Sequence, residues 1–428
     1  MHRWFLAMRA TALAVALVVV VCMVNQQSSQ AQTLTVLHNF TGATDGGNPS
    51  AGLAATDNAA RLYGTTFSGG AGLCTNEYGS SGCGTVFELV QRGAGWVFNP
   101  LYSFNGGQDG AAPQLGSLTI AQDGSLYGAT VSGGGGSCAI YGYNGCGAVF
   151  NLRPQPRPCT SALCPWNESV LYRFTAGDDG AYPDGSPIFD GSGNLYGVAD
   201  SYPINGNIYE LSLSGGSWIH SVAFAFDGPD GRIPVGEPIF DGSGNLYGTS
   251  WIGGAYDRGA AYQLTPSGSG WTNTVLHSFQ DAGPDGGLLY AGMIFDGSGN
   301  LFGVTTNGGT GGAGTIFELT PSGSDWNFTV LYSFTGGPNC GSYNDLVMDS
   351  AGNFYGTTLC TGASREGSVF KLTPSDGGWS YSSLHDFTGG SDGGYPYCNL
   401  VFDAAGNLYG TTFYGGTHNA GVVFEIMP

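Results

Sequence analysis

Along most of this chain apolar and polar residues alternate in short runs, and Gly, Asn, Asp and Ser punctuate the gaps. Period-two alternation marks strands with one buried face, and Gly, Asn and Asp between such runs mark tight hairpin turns. One segment recurs seven times: Leu62-Tyr63-Gly64, Leu126-Tyr127-Gly128, Leu195-Tyr196-Gly197, Leu246-Tyr247-Gly248, Leu301-Phe302-Gly303, Phe354-Tyr355-Gly356 and Leu408-Tyr409-Gly410. A second segment of the type Val86-Phe87-Glu88-Leu89 follows each copy, and a third, of the type Leu101-Tyr102-Ser103-Phe104, follows six of them. The aromatic residue of the first segment returns at intervals of 64, 69, 51, 55, 53 and 54 residues, and the two long intervals hold cysteine-bearing loops. Insertions thus fall between strands, where a fold tolerates them.

Each unit reads as four strands. An apolar strand such as Pro187-Ile188-Phe189 or Met293-Ile294-Phe295 runs into a tight Asp-Gly-Ser-Gly-Asn turn (190–194, 241–245, 296–300). The three recurrent segments then supply the second, third and outer strands. Four antiparallel strands in about 50 residues make one propeller blade, so the pattern predicts an all-β, seven-bladed β-propeller. The chain ends add a test. The seventh copy of the third segment stands at the front, as Leu37-His38-Asn39-Phe40, while the last unit stops after Val423-Phe424-Glu425-Ile426. The N-terminal strand is therefore expected to complete the last blade and close the ring, which removes the exposed edges of an open array.

The first 31 residues fall outside this pattern. Arg3 and Arg9 precede an apolar run from Ala10 to Val24, and Ser29-Gln30-Ala31 supplies a small-x-small cleavage site. This reads as a signal peptide over 1–31, with a single propeller domain over 32–428. The run is shorter than the roughly 20 residues of a membrane span, and Val21 before Cys22 does not suit a lipobox. A secreted protein, extracellular or periplasmic and monomeric, is expected. Removing Arg3 and Arg9 moves the formal charge from −20 to −22, and Lys371 is the only lysine. A chain this acidic repels phosphate backbones, so nucleic acid is excluded as a partner, and an anionic membrane surface likewise.

Ten cysteines fit an oxidising compartment. Cys74 with Cys83, Cys138 with Cys146, and Cys159 with Cys164 are close pairs, expected to staple loops. None has the CxxC spacing and nearby His of a zinc site. Two of Cys340, Cys360 and Cys398 are expected to pair, which two being open. The 77 glycines are offset by 13% aromatic residues, a composition that folds instead of staying disordered.

The units resemble the GloVer-type tandem repeat of secreted bacterial proteins. The match is carried by Asp-Gly-Ser-Gly-Asn-Leu-Tyr-Gly-Thr, by Gly-Thr-Ile-Phe-Glu-Leu-Thr-Pro (314–321) and by Val-Leu-Tyr-Ser-Phe (330–334). The resemblance implies export and a surface or extracellular setting, and little chemistry. Members often carry a C-terminal sorting anchor; with Pro428 last, tethering is not expected here.

Two recurrent acids are candidates for chemistry. Asp57, Asp190, Asp241, Asp296, Asp349 and Asp403 stand five residues before the second strand and read as turn caps; a calcium loop would need more carboxylates. No other cofactor is expected. The second acid lies in Asp-Gly-x-x-Pro loops leading from each outer strand to the next inner strand, at Asp45, Asp109, Asp179, Asp230 and Asp392, with Asp285 lacking the Pro and Asn339 replacing the acid in the sixth unit. These six acids converge on one face with the cysteine loops, where they are candidate ligand-binding residues; the alternative is that each caps its own turn. His38, His277 and His385 alternate with Tyr102, Tyr172 and Tyr332 at one repeat position, which points to packing over general-base catalysis. Trp96, Trp166, Trp218, Trp271, Trp326 and Trp379 read as blade packing. No nucleophile elbow, zinc helix or phosphate loop is present. The sequence therefore predicts a binding scaffold for a glycan or an extracellular protein. A carbohydrate-active hydrolase or lyase is the alternative, to be signalled by a singular pocket around Arg232, Asp257 or Arg258.

Overall fold

The computed structural model describes residues 32–427 except 57, 58, 78, 115, 155–165, 202, 203, 269, 281 and 282. The leader, Asp57 and the Cys159 and Cys164 pair lie outside the described residues. Seven four-stranded antiparallel sheets form the seven blades. Blades 1 to 7 begin at inner strands Ala54–Ala55, Thr119–Ile120, Ala181–Phe189, Arg232–Phe240, Ile294–Phe295, Val347–Met348 and Val401–Phe402. Blade 7 takes Thr33–Asn39 as its outer strand, which pairs from Thr33↔Met427 to Asn39↔Val422. The ring is thus closed by the N-terminal strand.

The turn between first and second strands forms because its Asp satisfies local amides. Asp190 Oδ1 accepts from the amides of Ser192 and Asn194, both at 2.8 Å, and Oδ2 accepts from the Asn194 side chain at 2.9 Å. Asp241, Asp296, Asp349 and Asp403 repeat the arrangement. Where blade 2 has Ala121, Asp123 takes over by accepting from the Ser125 amide at 2.9 Å. Third and outer strands are joined with a register shift at the same place in every blade, as between Val86 and Phe87 or between Val369 and Phe370. Such a bulge sharpens the right-handed twist of the blade.

The core lies between blades. Phe40, Leu62, Phe87, Leu89, Tyr409 and Val423 form one buried cluster at the closure of blade 7 on blade 1. Gly64 is required there, because a Cβ would lie 2.5 Å from the Phe87 ring. Trp96 packs edge-on against Tyr409 across the closure at 5.6 Å, as Trp166 does against Tyr63 and Trp271 against Tyr196. The recurrent tryptophans are blade packing.

Candidate binding site at the mouth of the channel

The Asp-Gly loops of the six candidate acids fold by the same rule as the turns. Asp109 Oδ2 accepts from the Asn105 amide at 2.9 Å and from the Tyr102 hydroxyl at 2.9 Å. Asp179 repeats this with Thr175 (2.8 Å) and Tyr172 (3.0 Å). Asp392 does so with Thr388 and His385, both at 3.0 Å, and Asp45 with Thr41 (3.1 Å) and His38 (3.2 Å). Histidine and tyrosine interchange at this repeat position because each brings one donor to the Asp of the following loop. Asp285 keeps the histidine contact, 3.2 Å from His277 Nε2. Blade 3 breaks the pairing consistently. Phe224 has no donor, its loop is one residue shorter, and Asp230 instead accepts from Asn273 of the next blade at 3.3 Å. Burial raises the Asp230 carboxyl above its usual range. In the loop with Asn339 a disulfide between Cys340 and Cys360 does the holding. Cys74–Cys83 and Cys138–Cys146 are also formed, and Cys398 is a buried free thiol.

Each loop then kinks. The third residue after the Asp has a left-handed backbone in six loops: Asn48 (φ 54°), Ala112 (53°), Tyr182 (47°), Ile233 (57°), Leu288 (55°) and Tyr395 (53°). Non-glycine residues seldom hold this conformation, and β-branched Ile233 least of all. Cross-loop hydrogen bonds fix it: the Asn48 amide donates to Ala420 O at 2.7 Å, and its carbonyl accepts from the Phe67 amide at 3.2 Å. Tyr395 is held in the same way by Glu366 O and the Phe413 amide.

The kink delivers the fifth residue after each Asp to the channel mouth. These are Ser50, Gln114, Asp184, Val235, Tyr290 and Tyr397, with Tyr343 in the equivalent place of the sixth loop. Beside them stand residues from the ends of the second strands, five after the recurrent Leu: Phe67, Val131, Asp200, Trp251 and Phe413. Two cavities of about 330 and 190 Å³ result, sharing Gln114, Tyr141 and Tyr290. An aromatic belt runs round them. Trp251 meets Tyr290 at 5.5 Å, Tyr290 meets Tyr343 at 4.7 Å, and Tyr343 meets Tyr397 at 5.8 Å. Tyr397 meets Phe413 at 5.7 Å, Phe413 meets Phe67 at 6.2 Å, and Phe67 meets Tyr141 at 5.9 Å. Tyr141 comes from the Cys138–Cys146 loop, which is fastened to its neighbour by the Glu77 amide donating to Tyr141 O at 3.0 Å.

Two residues deeper, the inner strands of neighbouring blades come into close contact. A Cβ at Gly116 would overlap the Gly185 backbone, and one at Gly236 the Gly292 backbone, so the inner strands touch only because these residues are glycine. Glu237 accepts from the Ser117 amide at 2.9 Å and the Ser186 hydroxyl at 2.8 Å. Asp345 accepts from the Gly292 amide at 2.6 Å and the Asn399 side chain at 3.0 Å. These acids form a polar layer on the inner strands two residues beyond the mouth.

Burial sets its electrostatics. Asp184 is pushed up to about 7 by burial, against the Gly185 amide that donates to it and with a smaller push from the Asp200 charge, and Asp345 to about 7 by burial and Glu237. Tyr290 is raised to about 12 by burial, so its phenol is neutral and both donates and accepts. Away from the mouth, on the outer strand Asn167–Arg173 of blade 2, burial and then the Asp109 charge lift Glu168 to about 7. Arg232 and Asp257, flagged by the sequence as a possible singular pocket, form a 3.0 Å ion pair, and Asp257 Oδ1 also accepts from the Gly253 amide at 3.1 Å. The mouth residues went unread in the sequence because they differ from copy to copy. Their signal was positional, five residues after each Asp.

No curated protein matches the sequence. Among solved structures, a protein from Lactobacillus plantarum is similar at 11% identity, covering 86% of this chain and 99% of that one with a TM-score of 0.49. A protein of unknown function from Dyadobacter fermentans is similar at 13% identity over 83% and 98% (TM-score 0.47). A gluconolactonase from Xanthomonas campestris is similar at 13% over 76% and 86% (TM-score 0.41). The sequence matches the Gloeobacter/Verrucomicrobia repeat over residues 23–202, 72–289 and 237–428. With its seven blades accounted for by that repeat, the chain belongs to the Gloeobacter/Verrucomicrobia repeat family.

Proposed function

We propose that this protein is an exported binding scaffold that takes an oligosaccharide at the mouth of its propeller channel. The aromatic belt from Trp251 through Tyr290, Tyr343 and Tyr397 to Phe67 carries this reading. Flat rings around a concave pocket stack on sugar faces, while phenol, amide and hydroxyl groups serve sugar hydroxyls. The pocket is concave and small, which suits sugar rings better than a flat protein surface. Constant Asp loops support side chains that vary from blade to blade, as a recognition surface requires. The three disulfides among the described residues and the leader-like first 31 residues support export. The six Asp of the loops support the pocket from outside it in this reading.

A glycan array probed with residues 32–428, wild type and Tyr290→Ala/Tyr397→Ala, tests it. Signal from wild type that drops about tenfold or more in the variant supports the reading. Equal signal from both, or none from either, overturns it. A hydrolase or lyase is the second reading, favoured by Asp184 holding a proton near pH 7 beside Asp200 in the same mouth. Release of reducing ends from an array-positive oligosaccharide separates the two.

A further inference from the structure

We infer that the sugar recognised at this mouth carries a free amine, bound as an ammonium in the smaller lobe. This inference rests on the glycan reading above and names the ligand class. The two lobes differ in chemistry. Among the described residues, neither lobe has Lys, Arg or His in its lining, and the larger is uncharged. The smaller, of about 190 Å³, holds Asp184 and Asp200 beside the rings of Tyr141, Tyr290 and Trp251. Blade 3 alone brings an acid at both mouth positions, where other blades bring Phe67, Tyr290, Trp251, Tyr397 or Phe413.

Two carboxylates that line one partly dehydrated pocket, with no basic residue among its described lining residues, repel one another. That repulsion adds to burial in raising Asp184. A small cation between them relieves it, and the negative faces of flanking aromatic rings add attraction for the same charge. A second observation points to a missing polar ligand. Ser50 is 3% exposed and lines the larger lobe, yet its hydroxyl has no hydrogen-bond partner, and neither have Gln114 Oε1 or Trp251 Nε1. A ring with hydroxyls toward Ser50 and Gln114 and an amine toward Asp184 and Asp200 answers all of these groups. The acidity of the chain, −20 overall, raises the local concentration of such a cation.

The test is calorimetric titration of residues 32–428 with three tetrasaccharides of equal length: β-1,4-glucosamine, its N-acetylated form and β-1,4-glucose. The free-amine tetramer is expected to bind at least about tenfold more tightly than either neutral one, and to weaken as salt rises. Asp184→Asn/Asp200→Asn should erase that preference. Equal binding of all three by wild type overturns this inference and leaves the glycan reading standing. Binding of none, or binding of an oligolysine peptide with no sugar bound, overturns both. Because wild type alone decides the first comparison, a variant that fails to fold does not blunt the test.

Discussion

The His277 ring lies flat against Phe328 of the next blade, 3.9 Å between centroids and 7° from parallel, while its Nε2 meets Asp285 at 3.2 Å. His38 repeats this with Phe98 and Asp45, and Tyr172 with His220 and Asp179. One side chain thereby joins a blade, the loop leaving it and the blade beyond. The recurrent acid is part of a clamp between blades, and the clamp holds the kinked loop that reaches the mouth.

The clamp needs a donor, not a charge. His385→Phe should lower stability by about 1 kcal/mol through loss of its bond to Asp392. His385→Tyr, which copies Tyr102 and Tyr172, should stay within about 0.5 kcal/mol of wild type. Urea denaturation followed by Trp fluorescence compares them, and equal losses in both variants would contradict the clamp.

The disulfide that stands in for the missing acid should be replaceable. Cys340→Ser/Cys360→Ser is expected to cost about 2–4 kcal/mol. Adding Asn339→Asp to that background restores the carboxylate seven residues after Tyr332, the spacing of Tyr102 and Asp109. About 1 kcal/mol should return, read as a rise in Tm over the double variant.

Asp184 gives a pH signature. Its folded value near 7 lies above the ordinary 3.8, so the folded state binds the proton more tightly than the unfolded chain. Stability from this group is present below pH 3.8 and falls as pH rises through 7. Asp184→Asn should therefore melt higher than wild type at pH 8.5 and match it near pH 4. His38 and His277 act in the opposite direction: burial lowers both below 6.5, so they withdraw stability as pH falls below 6.5, in either protein alike.

Cys398 should be inert in the folded protein. It is 1% exposed, its thiol is pushed up to about 12 by burial, and its sulfur accepts from the Thr411 amide at 3.2 Å. Iodoacetamide labelling mapped by mass spectrometry should modify it only in denaturant. Rapid native labelling would show that blade 7 opens locally.

Repetition made most of this fold legible. Tyr63, Tyr127 and their copies set the blade count, Leu37 to Phe40 announced the closure, and Asp190 and its copies marked the turns. The same habit hid the site, because comparison of copies rewards sameness. Asp45 and its equivalents drew notice by recurring, while Ser50, Gln114, Asp184, Val235 and Tyr290 share a place and no chemistry. Tyr141 was hidden in an insertion with no counterpart in blades 3 to 7. The partner of Cys340 depended on two loops meeting in space, a distance no local spacing encodes.

Separating frame from site tests the account most directly. An oligosaccharide positive on the array is titrated into Tyr290→Ala/Tyr397→Ala and into Asp109→Ala/Asp392→Ala, at a temperature where circular dichroism shows both folded. The account predicts that the tyrosine variant loses about tenfold or more in affinity with little change in Tm, and that the aspartate variant melts earlier yet binds as wild type does. Full affinity in the tyrosine variant with loss in the aspartate variant would contradict it and return the site to the Asp-Gly loops.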